Sequence, residues 1–81
     1  MKVLVSEVAR ADVRRIDQVE AIRILRSISV FARTGQGDVK VLSGAHAGKF
    51  RLRVGDYRVI FRIETQRVMF VLRVVHRSRA Y

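Results

Sequence analysis

Apolar positions recur along this chain first at helical spacing and then at strand spacing. Between Glu7 and Ile16, the residues Val8, Ala9, Val13 and Ile16 fall on one helical face, and Ser6 stands where an N-cap belongs. Asp17 followed by Glu20 reads as a capping box and opens a second helix from Gln18 to about Arg33. Val19, Ile22, Leu25, Ile28 and Ala32 form its apolar stripe, and Gly35 can supply the left-handed residue after its end. Residues 1–6 alternate weakly and suit a short strand. Past the glycine-rich break Thr34-Gly35-Gln36-Gly37-Asp38 the period changes to two. Val39–Leu42 is a short strand. Phe50, Leu52 and Val54 then point one way, and Lys49, Arg51 and Arg53 the other. Gly55-Asp56 is a two-residue hairpin loop whose leading glycine suits a type II′ turn. Tyr57–Ile63 alternates again, with Arg58, Ile60 and Arg62 on one face. Arg67–Val75 is apolar on both faces, as a strand in the middle of a sheet would be. The pattern predicts an α+β fold: an N-terminal helical hairpin packed on one face of a mostly antiparallel sheet of about four strands.

Composition narrows the function. At 81 residues the chain is expected to be a single domain, residues 1–81. It has no cysteine, which excludes disulfides, thiolate metal sites and cysteine nucleophiles, and its two histidines cannot fill a zinc site alone. No metal and no small-molecule cofactor is expected. No apolar run approaches the roughly 18 residues of a membrane span. The first residues are too short an apolar stretch for a signal peptide, so a cytoplasmic protein is expected, away from membranes.

Charge changes the picture most. Seventeen cations face seven anions, for a net charge of +10. Residues 1–38 carry a net +2 and residues 39–81 a net +8. The strand-rich half is therefore the expected polyanion surface. With Phe50, Leu52, Val54, Tyr57, Val59, Phe61 and Ile63 under the helices, Arg51, Arg53, Arg58 and Arg62 emerge on the opposite face. Arg73 and Arg77 join them if the third of these strands pairs in register, and nearly all the cations on that face are expected to lack a nearby Asp or Glu. Like charges this close repel, which favours binding an anion. The helix cations Arg10, Arg14, Arg15, Arg23 and Arg26 lie near Asp12, Asp17 and Glu20 and read as a solvated face. His76, beside Arg77, is a candidate general base or a structural residue. His46 is expected to be solvated, and Tyr57 to be core. Tyr81, after Arg77 and Arg79, is placed to stack on a base.

The segment Lys49–Phe61, KFRLRVGDYRVIF, resembles the RelE/ParE toxin superfamily. Gly37–Gly44, GDVKVLSG, looks like the segment leading into that hairpin, and Val75–Tyr81, VHRSRAY, is similar to its closing stretch. The resemblance covers nearly the whole chain. It implies the RelE-like fold and a toxin of a type II toxin–antitoxin pair. The RelE branch implies a metal-independent, ribosome-dependent endonuclease, in which the 2′-hydroxyl of mRNA in the ribosomal decoding site attacks the adjacent phosphate. Residue by residue, it implies catalytic roles for Arg51, Arg53, Arg58, Arg77 and Tyr81. Arg58 would hold the phosphate, Arg77 would protonate or stabilise the leaving 5′-oxygen, and Tyr81 would orient a base or help activate the 2′-hydroxyl. Some members carry lysine where this chain has Arg51 and Arg53, so the general base falls to His76, to Tyr81 or to no protein group. Lys49, Arg62, Arg73 and Arg79 are expected to bind RNA. Two other readings stay open: a ParE-like, non-enzymatic inhibitor of DNA gyrase, and a silent basic nucleic-acid-binding module. Charge and resemblance together imply a cognate acidic antitoxin that wraps the sheet and helices, over the outward apolar residues Ile60, Met69 and Val71.

Overall fold

A computed structural model of the chain describes residues 1–65 and 67–80. Strand β1 (Lys2–Val5) leads into helices α1 (Glu7–Arg14) and α2 (Gln18–Thr34). Strands β2 (Asp38–Val41), β3 (Phe50–Val54), β4 (Tyr57–Glu64) and β5 (Val68–His76) follow, with 3-10 turns at Gly44–His46 and Arg77–Arg79. The sheet runs β1-β5-β4-β3-β2. Strands β2 to β5 are the expected antiparallel meander. The fifth strand is β1, which lies parallel to β5 at the edge of the sheet opposite β2, so the two helices that join β1 to β2 return the chain in the opposite direction. Among the described residues no helix is long and apolar enough to cross a membrane.

Ser6 caps α1 as expected. Its Oγ accepts from the Ala9 N–H at 3.0 Å and donates to the Leu72 carbonyl at 3.0 Å, so the cap also ties the helix to β5. At α2 the capping box does not form. The Asp17 side chain makes no cap bond, and Glu20 faces Arg23 at 3.8 Å instead. Gly35 ends α2 at φ +77°, its N–H donating to Phe31 O at 2.8 Å.

Ile24, Ile28, Phe31 and Ala32 of α2 pack with Leu52, Val54, Val59, Phe61, Met69, Val71 and Val74 of the sheet. The buried stripe of α2 is thus rotated from the expected one, leaving Val19 72%, Ile22 49% and Leu25 47% exposed. Phe31 decides the rotation: its ring lies 5.3 Å from that of Phe61, which stacks on Phe50 at 5.4 Å. Burying three rings outweighs burying Val19 and Leu25.

β5 carries a bulge. Phe61 pairs with Val71 but Ile60 pairs with Arg73, leaving Leu72 unmatched. Before the bulge Met69 and Val71 therefore sit under the helices, fully buried, rather than outward as the alternation suggested. After it, Arg73 lies on the face away from α2 and Val74 enters the core. Only Ile60 of the three expected outward residues is on that far face, and it too is buried.

Because β1 stops at Val5, the outer edge of β5 beyond Val71 has no strand beside it. α1 covers that edge. The Asp12 carboxylate accepts from the Val74 amide at 2.9 Å, from Arg73 Nε at 2.8 Å and from Arg73 Nη2 at 3.2 Å. Besides facing the helix cation Arg15, Asp12 is therefore a buried acceptor for the strand edge that β1 leaves uncovered. Burial alone would raise its pKa. The Arg73 and Val74 hydrogen bonds and the charges of Arg73 and Arg15 outweigh that and hold it below the ordinary aspartate value.

Candidate functional site

Strand pairing sets out the basic face. Arg53 lies directly opposite Arg58 across β3 and β4, Arg51 opposite Ile60, and Arg58 opposite Val75. Lys40 of β2 lies opposite Arg51. Arg58 is held by the hairpin turn. Its Nη1 donates to the carbonyls of Gly55 at 3.0 Å and Tyr57 at 2.9 Å. The hairpin turn makes this possible. Gly55 has φ +58° while Asp56 keeps a negative φ, as a type II′ turn requires, and its carbonyl turns toward Arg58. The same turn receives the end of β5: the Arg77 N–H donates to Asp56 O at 2.7 Å, and Arg77 Nε lies 3.8 Å from the Asp56 carboxylate.

Arg51, Arg53, Arg58 and Arg77 thus converge at one corner of the sheet. Desolvation first, and then the charges of Arg53, Arg51 and Arg77, push the Arg58 pKa down from its ordinary value; Asp38 opposes them. Carboxylates are nearer this face than the sequence suggested. Asp38, opposite Arg53 in the ladder, reaches Arg51 at 3.4 Å and Arg53 at 4.0 Å. These contacts are long, Asp38 and Asp56 are exposed, and such pairs are worth little. Two carboxylates facing four guanidiniums leave the corner cationic. Among the described residues Arg58 meets no carboxylate within ion-pair distance, and the buried Nε of Arg51 has no hydrogen-bond partner.

The other expected residues are spread out. Lys49 and Arg62 line a hollow on the same face with Ile60 and Arg73. Arg62 also pairs with Glu64 at 3.3 Å and lies 4.9 Å from the Phe70 ring centre. Arg73 is engaged by Asp12. Arg79 lies beyond the end of β5, in the Arg77–Arg79 turn. His76 pairs with Tyr57 on the helix side of the sheet, the two rings meeting edge to face at 5.5 Å. Its Nδ1 accepts from the Ser78 N–H at 3.2 Å, capping the turn that carries Arg77. The structure therefore does not bring His76 to Arg58. His46 is half-buried in its turn rather than solvated. Tyr81 lies outside the described residues. Sequence reasoning missed Asp38 and Asp56 as counter-ions. Asp56 had a local signal, as the turn residue before Tyr57-Arg58, whereas Asp38 becomes visible only once β2 is in register.

A family model described as the ParE toxin of the type II toxin–antitoxin system parDE matches residues 3–81. No curated protein matches. Among solved structures, the chain is 31% identical to a chain of the toxin–antitoxin complex RelBE2 from Mycobacterium tuberculosis, covering 93% of this chain and 95% of that one at a TM-score of 0.69. It shares its fold with a chain of the archaeal RelE–RelB complex from Pyrococcus horikoshii OT3, at 24% identity, 98% and 97% coverage and a TM-score of 0.78. It does so too with a chain of the RelB–RelE antitoxin–toxin complex from Methanococcus jannaschii, at 23% identity, 93% and 91% coverage and a TM-score of 0.75. With a family match over nearly its whole length and the RelE-like fold beneath its arginine corner, the chain belongs to the ParE toxin family and is a toxin of a type II toxin–antitoxin system.

Proposed function

We propose that this toxin is a metal-independent, ribosome-dependent mRNA endonuclease whose reacting phosphate sits on the Arg51–Arg53–Arg58–Arg77 corner. The carrying observation is Arg58: two turn carbonyls fix its guanidinium, three further arginines stand beside it, and no carboxylate in the described residues lies within ion-pair distance of it. In the reaction, the 2′-hydroxyl oxygen attacks the adjacent phosphorus and the bond to the 5′-oxygen breaks, giving a 2′,3′-cyclic phosphate and a 5′-hydroxyl; the proton lost from the 2′-hydroxyl passes to solvent, and one proton is returned to the 5′-oxygen. The pentacoordinate intermediate carries extra negative charge, which fixed guanidiniums stabilise without reorganising. Arg58 holds the phosphate, Arg51 and Arg53 face its non-bridging oxygens, and Arg77 serves the leaving 5′-oxygen. Arginine is a poor proton acceptor, so this corner supplies charge and geometry rather than a general base. Positioning of the RNA by the ribosome supplies the in-line geometry. Tyr81 is proposed to stack on a base, and Lys49 and Arg62 to hold the flanking chain.

The partner is an acidic antitoxin that covers the basic face and neutralises the +10 chain. The similar structures named above are complexes with antitoxins, which supports this. Mapping mRNA 5′ ends after incubation with translating ribosomes tests the enzyme reading. Wild-type protein is expected to cut, and Arg58→Ala plus Arg77→Ala to abolish cutting; retained cutting by that variant defeats the site. The ParE name of the matching family favours a second reading, inhibition of DNA gyrase. A supercoiling assay with gyrase, inhibited by this protein in the absence of any RNA cleavage, would select it.

A further inference from the structure

We propose that a groove at the end of β5, between α1 and the Arg77–Arg79 turn, holds the nucleotide next to the phosphate taken by the arginine corner, with Arg15 and Arg79 as its phosphate ligands. The inference rests on the ribonuclease reading and adds a second RNA subsite to it. The groove has a volume of about 390 Å³, within the range of small-ligand pockets. Arg15, Ile16, Tyr57, Val75, His76 and Arg79 line it.

Charge points to an anion. Asp12 also lines the groove, but its oxygens are already engaged by Arg73 and the Val74 amide. Arg15 and Arg79 form no ion pair among the described residues. An entering phosphate therefore meets two guanidiniums that no carboxylate among the described residues holds in an ion pair, although Arg15 lies near enough to Asp12 to act on its charge.

The remaining walls suit the rest of a nucleotide. Ile16 and Val75 are apolar, and Tyr57 offers an aromatic surface for a base or ribose. His76 contributes a donor. Its Nδ1 accepts from Ser78 N–H, so the neutral ring carries its proton on Nε2. Continuity with the corner is built into the fold. Val75, on the groove wall, is the ladder partner of Arg58, and Arg77 lies in the chain between His76 and Arg79. A strand leaving Arg58 over the end of β5 runs into the groove.

Binding of labelled 2′-O-methyl oligouridylates of two and four nucleotides tests this, since the methyl group removes the nucleophile. Arg15→Ala plus Arg79→Ala is expected to bind the dinucleotide like wild type and the tetranucleotide about tenfold more weakly. Its salt dependence for the tetranucleotide should be shallower by about 0.7 in log–log slope, the loss of one phosphate contact. Arg10→Ala plus Arg14→Ala, an equal charge loss on exposed α1 positions, should leave both affinities unchanged. Wild-type tetranucleotide binding by the Arg15/Arg79 variant, with binding lost in Arg58→Ala, overturns the groove and leaves the corner standing. Binding unaffected in both variants overturns the groove and the corner together. A hexaglutamate peptide that outcompetes the tetranucleotide, and loses its affinity in the Arg15/Arg79 variant, assigns the groove to a protein partner and overturns the nucleotide reading.

Discussion

Arg53 and Arg58 face each other directly across the β3–β4 ladder, two like charges at a position where opposite charges would stabilise the sheet. Such a pair costs roughly 0.2–1 kcal/mol relative to neutral residues. The cost falls when an anion lies between them. Inorganic phosphate should therefore raise the melting temperature more than chloride at equal ionic strength. Arg53→Gln should melt no lower than wild type without phosphate and gain less from it. Equal phosphate shifts in both proteins would show that the pair is not an anion seat.

Charge alone is not the proposed property of Arg58. One guanidinium nitrogen bonds two turn carbonyls, 3.0 Å and 2.9 Å away, and the rest of the fork remains for a phosphate. Lysine keeps the charge but is a single point donor. Arg58→Lys should lower ribosome-dependent cleavage by about 100-fold, a loss typical of a misplaced transition-state donor. Its melting temperature should stay near wild type. Near-normal cleavage by Arg58→Lys would reduce the site to a diffuse positive potential.

The hairpin at the heart of this site was legible from the chain alone because its signals are local. Phe50, Leu52 and Val54 alternate with basic residues, and a glycine opens the turn. The placement of Arg58 opposite Arg53 follows from those two facts. The contribution of β5 was not legible in the same way. Val68–Val75 is apolar on both faces, so alternation cannot say which residues face the helices, and the bulge at Leu72 reverses the assignment partway along. The Asp12–Arg73 contact spans 61 positions and follows from β1 ending at Val5, which no pattern within α1 records. The stripe of α2 was misread because two apolar faces compete and the aromatic cluster, a tertiary feature, chooses between them.

Asp12 predicts an acid limit to stability. It titrates lower in the folded chain than in the unfolded one. Its pairing is therefore fully present above about pH 4 and is lost as the pH falls through the folded value. Asp12→Asn leaves Arg73 and the Val74 edge poorly satisfied. The Arg73 side chain is 42% exposed, which places the expected loss below that of a fully buried pair. A loss of about 2 kcal/mol is expected near neutral pH. Chemical denaturation from pH 7 to pH 2 checks this. Wild type should lose its advantage over Asp12→Asn below about pH 4. A gap that stays constant down to pH 2 would mean that Asp12 acts by shape and not by charge.

His76 separates positioning from proton transfer. As a cap, its Nδ1 accepts from the Ser78 amide two residues on, an arrangement that an asparagine side-chain oxygen also makes. A general base would need a lone pair aimed at the substrate, and asparagine offers no basic nitrogen. If the cap is what matters, His76→Asn should hold the Arg77–Arg79 turn in place and cleave mRNA within about threefold of wild type. His76→Ala should release the turn and fall about tenfold in kcat, near the cost of one lost cap. The pH–rate profile should keep the same shape in wild type and His76→Asn. Equal losses in both variants, with the acidic limb of the profile gone, would instead make His76 the base and move the reacting phosphate from the arginine corner to the helix side of β5.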